Sequence, residues 1–386
     1  MTGSARAIPI RIVGRRFWLW GLVFTLIGVV LVTASPWKGF ADFPQFWSAG
    51  RTVATPDLLD PVRHELWQLA NGVHPGFFAY PPGAAWLFAP FGVSTIEVGY
   101  WLHAAVMTGL AAVGGLVGAR VYELDRRVAL VVVFAWAPTL VSVAFGQNVP
   151  LALLLAFLTI EGLSRNDDLF AGLAVGLLLY KPTLAIPLLG LMVLRYRWRA
   201  LAVAAAAAVA WYLAGVAAAA GDWSWPAHWF AGLGGYYAAD APSNAARSIS
   251  LPGLLVGYGL PVSVAWAAAI AVVGLALPRL RRAPIVEAGA AACLVGLVVS
   301  PHSLDYEAMM MLPAIMWSLG RTTTGISEPA RTRLFVAAYV VAQLLLISTA
   351  FAVSSLTVAA FVATAIWISG WRRTDVDWDG PPLPTA

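Results

Sequence analysis

Residues 17–50 read FWLWGLVFTLIGVVLVTASPWKGFADFPQFWSAG, an apolar run followed by a short polar break and an aromatic-rich segment. The apolar part, Phe17 to Ser35, is long enough to cross a bilayer as a helix. Asp42, the first acidic residue of the chain, follows it among phenylalanine and tryptophan side chains. A carboxylate at the mouth of a membrane helix is costly, so Asp42 is the first candidate for chemistry.

The composition places the chain among integral membrane proteins. Its 386 residues are 60% hydrophobic and only 11% charged, and the mean hydropathy is +0.77. A soluble protein of this length could not bury so much apolar surface, so we predict an all-α polytopic membrane protein. Residues 32–34 resemble a signal-peptide cleavage site, but the apolar run is long for a signal and we expect an uncleaved first helix. The single cysteine, Cys293, excludes a disulfide framework and a thiolate metal site.

Eleven further apolar segments follow the first run, which predicts about twelve transmembrane or re-entrant helices in a single membrane domain over residues 1–370. External loops are expected at 36–82, with two short interfacial helices, and at 222–251. Residues 371–386 are expected to form a cytoplasmic tail. The predicted segments are 95–119, 128–145, 149–163, 169–180, 183–194, 200–220, 252–277, 285–300, 306–320, 333–351 and 353–370.

The basic residues orient this topology. Net charge is +5 and the isoelectric point is about 9.5, but most of the 24 Lys and Arg residues fall on one side of the predicted membrane. By the positive-inside rule that side is cytoplasmic, with both chain termini on it, so nucleic-acid binding is not needed to explain the charge. The exceptions, on the outer side or in the interior, are Lys38, Arg51, Arg63, Lys181 and Arg247.

Segments 169–180 and 183–194 are each too short to cross a hydrocarbon core. They meet at Tyr180-Lys181-Pro182, and either they form a re-entrant hairpin or one of them is tilted in a thinned region of the bilayer. Both arrangements place Lys181 inside the protein, where irregular backbone is tolerated if it lines a cavity. A snorkelling lysine is the alternative, but an ammonium beside a helix break suits a phosphate.

The remaining polar residues of the predicted outer side stand at helix ends on one face of the membrane. A reaction at the outer leaflet requires such one-sidedness, whereas packing does not. With Asp42, the candidate site residues are Tyr80 of Tyr80-Pro81-Pro82, Gln147 and Asn148 of a Gly-Gln-Asn triplet, Lys181, Arg247, and His302, Asp305, Tyr306 and Glu307 of the segment SPHSLDYE at 300–307.

Each candidate has a structural alternative. Asp42 with Gln45 matches a capping box that opens a helix at 43–53, a role compatible with catalysis. Gln147 and Asn148 could contact sugar hydroxyls or only shape a turn, and Arg247 could grip a phosphate or only solvate its loop. A divalent metal at His302, Asp305 and Glu307 is possible but not favoured, because hard cations recruit more oxygen ligands; we expect no cofactor.

An acid after the first helix, a YPP triplet, a GQN triplet, a lysine-proline break and the late SPHSLDYE segment occur in this order over roughly residues 40–310. This order resembles the polyprenyl-phosphate-sugar-dependent glycosyltransferases of the GT-C fold, family 87, which contains actinobacterial α-mannosyltransferases. The resemblance implies a GT-C-like bundle with its active site in the external loops, Asp42 as the base and a role in the site for His302. Relatives acting on phosphatidylinositol mannosides tend to have a His-His pair after the Ser-Pro, where this chain has Leu304-Asp305-Tyr306.

The function expected from these features is transfer of one sugar, mannose by analogy with the family, from a polyprenyl-phosphate donor. The acceptor would be a lipid or glycan on the outer face of a bacterial cytoplasmic (inner) membrane. Asp42 would deprotonate the acceptor while Lys181, Arg247 and His302 bind the donor phosphate, and a single base predicts inversion. The alternative is a flippase of a lipid-linked sugar, but transporters tend to have broken helices in matching halves and midplane charges. A non-catalytic scaffold leaves the polar residues unexplained.

Overall fold

A computed structural model describes residues 15–33, 42–73 and 75–321, and this part of the chain is almost entirely helical. The predicted helices at 333–351 and 353–370 and the tail at 371–386 lie outside it. The helices are α1 (Arg15–Thr33), α2 (Phe43–Thr52), α3 (Pro61–Ala70), α4 (Ala85–Gly92), α5 (Ile96–Val121), α6 (Arg126–Ala135), α7 (Ala137–Ala144), α8 (Val149–Ser164), α9 (Asp168–Leu178), α10 (Pro182–Leu194), α11 (Trp198–Ala218), α12 (Trp225–Ser243), α13 (Leu251–Gly257), α14 (Val262–Arg282), α15 (Ile285–Val299) and α16 (Leu312–Arg321).

Within the described residues, three helices are both long and apolar enough to cross a membrane by themselves: α5, α11 and α14. The pair α6 and α7 passes the same test together but bends by 63°. Apolar helices of this kind make the chain a membrane protein. The short halves expected on either side of Lys181 correspond to α9 and α10, and the two short helices expected after the first span are α2 and α3.

The expectation of one helix over 252–277 is wrong. The chain forms α13 and α14 instead, separated at Gly259, whose φ of +82° belongs to the left-handed region that favours glycine. Pro261 then directly precedes the first residue of α14. A glycine after one helix and a proline before the next are a sequence signal that a helix ends within an apolar run.

Two further predicted spans are interrupted. Segment 128–145 bends because Trp136 is extended (φ −77°, ψ 105°) and Pro138 lies in the first turn of α7, where a proline is tolerated but the preceding helix cannot continue through it. Segment 306–320 begins as a 3₁₀ helix, Asp305–Met311, before α16 takes over. The tighter winding projects its acidic side chains toward the site described below. The 222–251 segment, expected as a loop, contains α12.

The core is built on α8 and α15, most of whose residues are buried. They meet where Gly289 faces Ile160, with no room for a larger side chain. Helices α5 and α9 pack closely against α8, and α11 packs against α9, where Gly172 lies against the backbone of Ala200. Small residues allow helices in apolar surroundings to approach and so gain van der Waals contact.

This packing brings several chain breaks to one place. The N-terminus of α8 follows Asn148, α15 ends immediately before Ser300, and α9 and α10 meet at Lys181. Ser248 and Leu304 form an isolated antiparallel bridge that joins the segment after α12 to the segment after α15. Irregular backbone collected at one end of a helical bundle is where a polar site can form.

Candidate active site

Asp42 is hydrogen-bonded to a residue that is far away in the sequence. Its Oδ2 accepts a hydrogen bond of 2.7 Å from Gln147 Nε2, and its backbone N–H donates to the carbonyl of Phe145 at 3.1 Å. Asp42 precedes the first residue of α2, but its side chain makes no capping hydrogen bond. The expected capping box with Gln45 is therefore wrong, because the carboxylate turns toward the Gly-Gln-Asn turn instead.

The surroundings of Asp42 favour the protonated acid. Burial raises the pKa of this carboxyl above its ordinary value, with Asp305 nearby acting in the same direction. The hydrogen bond from Gln147 and the charges of Arg247 and Lys181 oppose the shift without cancelling it. A carboxylate with a raised pKa is a stronger base than an ordinary aspartate, which is what proton abstraction requires.

Lys181 and Glu307 form a buried ion pair. Lys181 Nζ lies 2.6 Å from Glu307 Oε1, and the two side chains are 9% and 3% exposed. The ammonium also lies over the rings of Tyr80, 5.5 Å from the centroid, and of Tyr306, at 5.7 Å. A carboxylate and two aromatic faces therefore already surround the charge predicted to bind a donor phosphate.

Arg247 pairs with the second acid of the same 3₁₀ helix. Its Nη2 donates to Asp305 Oδ1 at 3.0 Å and its Nε to Oδ2 at 3.3 Å, a two-point contact typical of arginine and carboxylate. The guanidinium also lies 5.6 Å from the centroid of Phe145. The bridge between Ser248 and Leu304 lies beside this ion pair and fixes its two segments together.

His302 has a partner that the sequence did not suggest. Its Nδ1 lies 3.1 Å from Oδ2 of Asp240, in the last part of α12. Although burial alone raises the pKa of Asp240, the close approach and charge of His302 hold it below its ordinary value. The rings of Tyr236 and Tyr237 contact the imidazole, with centroids 6.2 Å and 5.6 Å away.

Two of the candidates, Tyr80 and Asn148, lie together on one wall of the site. Tyr80 Oη donates to Asn148 Oδ1 at 3.3 Å, and Tyr180 Oη donates to the backbone carbonyl of Asn148 at 2.9 Å. The rings of Tyr80 and Tyr180 are stacked, with centroids 6.3 Å apart. Asn148 thus holds two tyrosines in place and faces the Lys181 side of the site.

All ten residues singled out from the sequence therefore belong to one connected cluster, while their individual roles stay predictions. The residues that sequence reasoning missed lie mainly on α12: Asp240, Tyr236 and Tyr237. The acids divide among different partners: Asp305 pairs with Arg247 and Glu307 with Lys181, whereas His302 pairs with Asp240. Among the described residues, no group of three or more acidic, histidine or cysteine side chains is arranged to hold a metal ion.

The model of glycosyltransferase family 87 matches residues 78–301, more than half of the chain. The protein belongs to glycosyltransferase family 87. It is an enzyme that transfers sugars, and its apolar helices make it a membrane glycosyltransferase. The family match covers the Tyr80, Gly-Gln-Asn, Lys181 and Arg247 motifs, whereas Asp42 lies well before it and His302 immediately after it. No curated protein and no solved structure matches the chain significantly.

Proposed function

We propose that this family 87 glycosyltransferase moves one sugar, mannose, from a polyprenyl-phosphate donor to a lipid or glycan acceptor. The reaction takes place on the outer face of the bacterial cytoplasmic membrane, with both chain termini on the cytoplasmic side, in a bundle of the GT-C type. Lipid-linked substrates suit a site that opens among apolar helices, since the polyprenyl chain can stay in the bilayer while its phosphate enters the polar cluster.

One observation carries the catalytic assignment. Of the four carboxylates in the cluster, three lie against a basic partner, namely Glu307, Asp305 and Asp240. Asp42 instead accepts from the neutral amide of Gln147. Among the described residues its charge is therefore not neutralised by an ion pair, and burial raises its pKa. This combination favours a carboxylate that takes up a proton during the reaction over one that stays charged.

In the proposed reaction, Asp42 accepts the proton of an acceptor hydroxyl as that oxygen attacks the anomeric carbon of the donor sugar. The bond between the anomeric carbon and the phosphate oxygen breaks, and polyprenyl phosphate leaves as a monoester. A single base and direct displacement give inversion of the anomeric centre. The leaving phosphate gains negative charge, so basic side chains close to it lower the barrier.

The contacts favour Arg247 and His302 over Lys181 as the groups facing that phosphate. The ammonium of Lys181 is buried between Glu307 and two tyrosine rings, and moving it toward a ligand would leave Glu307 charged and unpaired. Arg247 lies close enough to Asp42 for the charges to interact. Lys181 instead holds Glu307, and we assign the second oxygen of Glu307, which has no hydrogen-bond partner among the described residues, and Tyr306 to the sugar hydroxyls.

The proposal is tested with purified protein in nanodiscs, polyprenyl-phosphate mannose and a lipid extract, with mass spectrometry to detect a lipid that gains one hexose. Asp42→Asn nearly keeps the shape of the side chain but removes the base, so we expect turnover to fall by about 10²- to 10⁴-fold. Asp57→Asn, which changes an aspartate in the same external segment outside the cluster, should leave turnover unchanged. Transfer at the wild-type rate by Asp42→Asn would refute the assignment of the base. Movement of the donor between leaflets without any transfer would favour a flippase.

A further inference from the structure

A continuous series of polar contacts links the two groups proposed to face the donor phosphate. Arg247 Nη1 donates to Asn244 Oδ1 at 3.4 Å, and Asn244 Nδ2 donates to Asp240 Oδ1 at 2.8 Å. The other oxygen of Asp240 lies 3.1 Å from His302 Nδ1. Asp240 and Asn244 are four residues apart on α12, so both side chains point to the same face of one helix.

A second set of contacts links Arg247 to His302 through the segment that follows α15. Arg247 holds Asp305, and His302 lies three residues earlier on the same segment. Between them, the backbone N–H of Ile249 donates to the carbonyl of Ser303 at 2.8 Å. The C-terminal end of α12 and residues 302–305 are thus joined by two side-chain pairs and by main-chain pairing, which fixes His302 relative to Arg247.

The contact at Nδ1 has a chemical consequence for the opposite nitrogen of the imidazole ring. A carboxylate beside Nδ1 favours a proton on that nitrogen and leaves Nε2 as the ring nitrogen that is available to a ligand. Nε2 makes no hydrogen bond to any described residue. When Nε2 also carries a proton it is a charged N–H donor, and a phosphate oxygen is the acceptor that best matches such a donor.

We propose that Asp240 is a positioning residue for sugar transfer, which holds His302 with Nδ1 protonated and Nε2 turned toward the donor phosphate. Through Asn244 it also orients Arg247, so that both side chains approach one anionic group. This inference rests on the proposed function, since it takes a lipid phosphate as the ligand. Asp240 itself does not contact substrate in this assignment; it acts through His302 and Arg247.

The chain offers a matched control on the same helix. His228 Nδ1 lies 2.7 Å from Asp222 Oδ2, at the other end of the α12 region, and the histidine side chain is 61% exposed. This is the same pair of side-chain types with the same ring nitrogen facing the carboxylate, but closer and more exposed than His302 and Asp240, and it lies at the opposite end of α12 from Asp240. Asp222→Asn therefore removes a carboxylate from a histidine without touching the site.

The kinetic test compares Asp240→Asn, Asp222→Asn, His302→Gln and the double variant Asp240→Asn/His302→Gln, with the donor concentration varied. We expect Asp240→Asn to lower kcat/KM for the donor by about 10- to 100-fold, the size of one charge-assisted hydrogen bond, with Asp222→Asn unchanged. Asp240→Glu should recover part of the loss. Since Asp240 acts largely through His302, its substitution should cost much less in the His302→Gln background. Equal losses in both backgrounds would overturn the inference and indicate a structural role.

A second measurement needs no donor and separates the two possible failures. The protein has five histidines, so ¹⁵N spectra of histidine-labelled protein can be assigned with His302→Gln. We expect His302 to carry its proton on Nδ1 in the wild type and to lose that preference in Asp240→Ala. An unchanged His302 signal would overturn the role of Asp240. A changed signal without any transfer from polyprenyl-phosphate mannose would instead refute the choice of donor and leave the positioning contact in place.

Discussion

Buried acids lie at both ends of α8, and the two ends differ in how exposed the basic partners of those acids are. At its C-terminal end, Glu161 accepts two hydrogen bonds of 3.2 Å from Arg120 and one contact of 2.6 Å from Arg165. The acid is 4% exposed, but its arginines are 51% and 65% exposed. At the N-terminal end lies the cluster around Asp42, where Lys181 and Glu307 are both buried.

The difference separates the cluster at Glu161, which serves stability alone, from the cluster around Asp42, which is a candidate for chemistry. At Glu161 the cations reach into solvent and neutralise an acid that the helix packing has covered, and exposed arginines lose little hydration in doing so. At the opposite end both members of an ion pair are desolvated, and within the described part of the chain the side chain of Asp42 is hydrogen-bonded to an amide and not to a basic group. Desolvation on that scale is costly, and chemistry is the usual reason for it to persist.

The largest effect on stability is expected from Lys181→Met. The substitution leaves Glu307 buried and unpaired, which costs about 3 to 5 kcal/mol. Adding Glu307→Gln removes the orphaned charge, so the double variant should recover most of the loss. The measurement is the midpoint of denaturant unfolding in detergent. If Lys181→Met unfolds at the wild-type midpoint, the pair is not buried in the functional protein and the contrast between the two ends of α8 fails.

A smaller effect, on the pH dependence of turnover, is expected from Gln147→Ala. The base must be deprotonated to act, and the Gln147 hydrogen bond lowers the pKa of Asp42 against the opposing effect of burial. Without that bond the pKa rises further, so the acidic limb of the kcat/KM profile should move to higher pH. On that limb the loss should be about 10-fold and should shrink as the pH rises.

Gln68→Ala is the matched control for this experiment. Gln68 is also a buried glutamine, but it donates to Ser48 and to the carbonyl of Gly76, away from Asp42. Its substitution should leave the acidic limb where it is in the wild type, even if the protein becomes less stable. A profile for Gln147→Ala that loses activity equally at every pH would mean that Gln147 positions Asp42 without tuning its basicity.

Much of the site could be predicted from the sequence because its motifs stand at helix ends, where irregular backbone interrupts apolar runs. Lys181 beside Pro182 and the SPHSLDYE segment are visible in this way. Asp240 was not, because it lies in an alanine- and glycine-rich stretch of α12 and its histidine partner, His302, is far away in sequence. Likewise, the local rule that pairs Asp42 with Gln45 could not reveal Gln147, 105 residues away. Contacts made by folding lie beyond local sequence rules.

The helix boundaries show a second limit of prediction from sequence. Apolar composition correctly indicated membrane helices, but it treated 252–277 as one span although Gly259 and Pro261 were present to end it. Hydropathy averages over a window, whereas a single left-handed residue decides where a helix stops. The breaks at Trp136 and Gly259 each leave backbone groups that a straight helix would have bonded internally.

The smallest effect is expected from Arg165→Gln, at the exposed end of α8. Arg120 still holds Glu161 through two hydrogen bonds, and the lost partner was mostly hydrated, so the cost should be at most about 1 kcal/mol. High salt should shrink the difference further, since exposed charges are screened. Unfolding midpoints at low and high salt test both points. A loss as large as that of Lys181→Met would show that Arg165 is desolvated in the membrane. The two ends of α8 would then differ in their chemistry alone, with the same cost of burial at each.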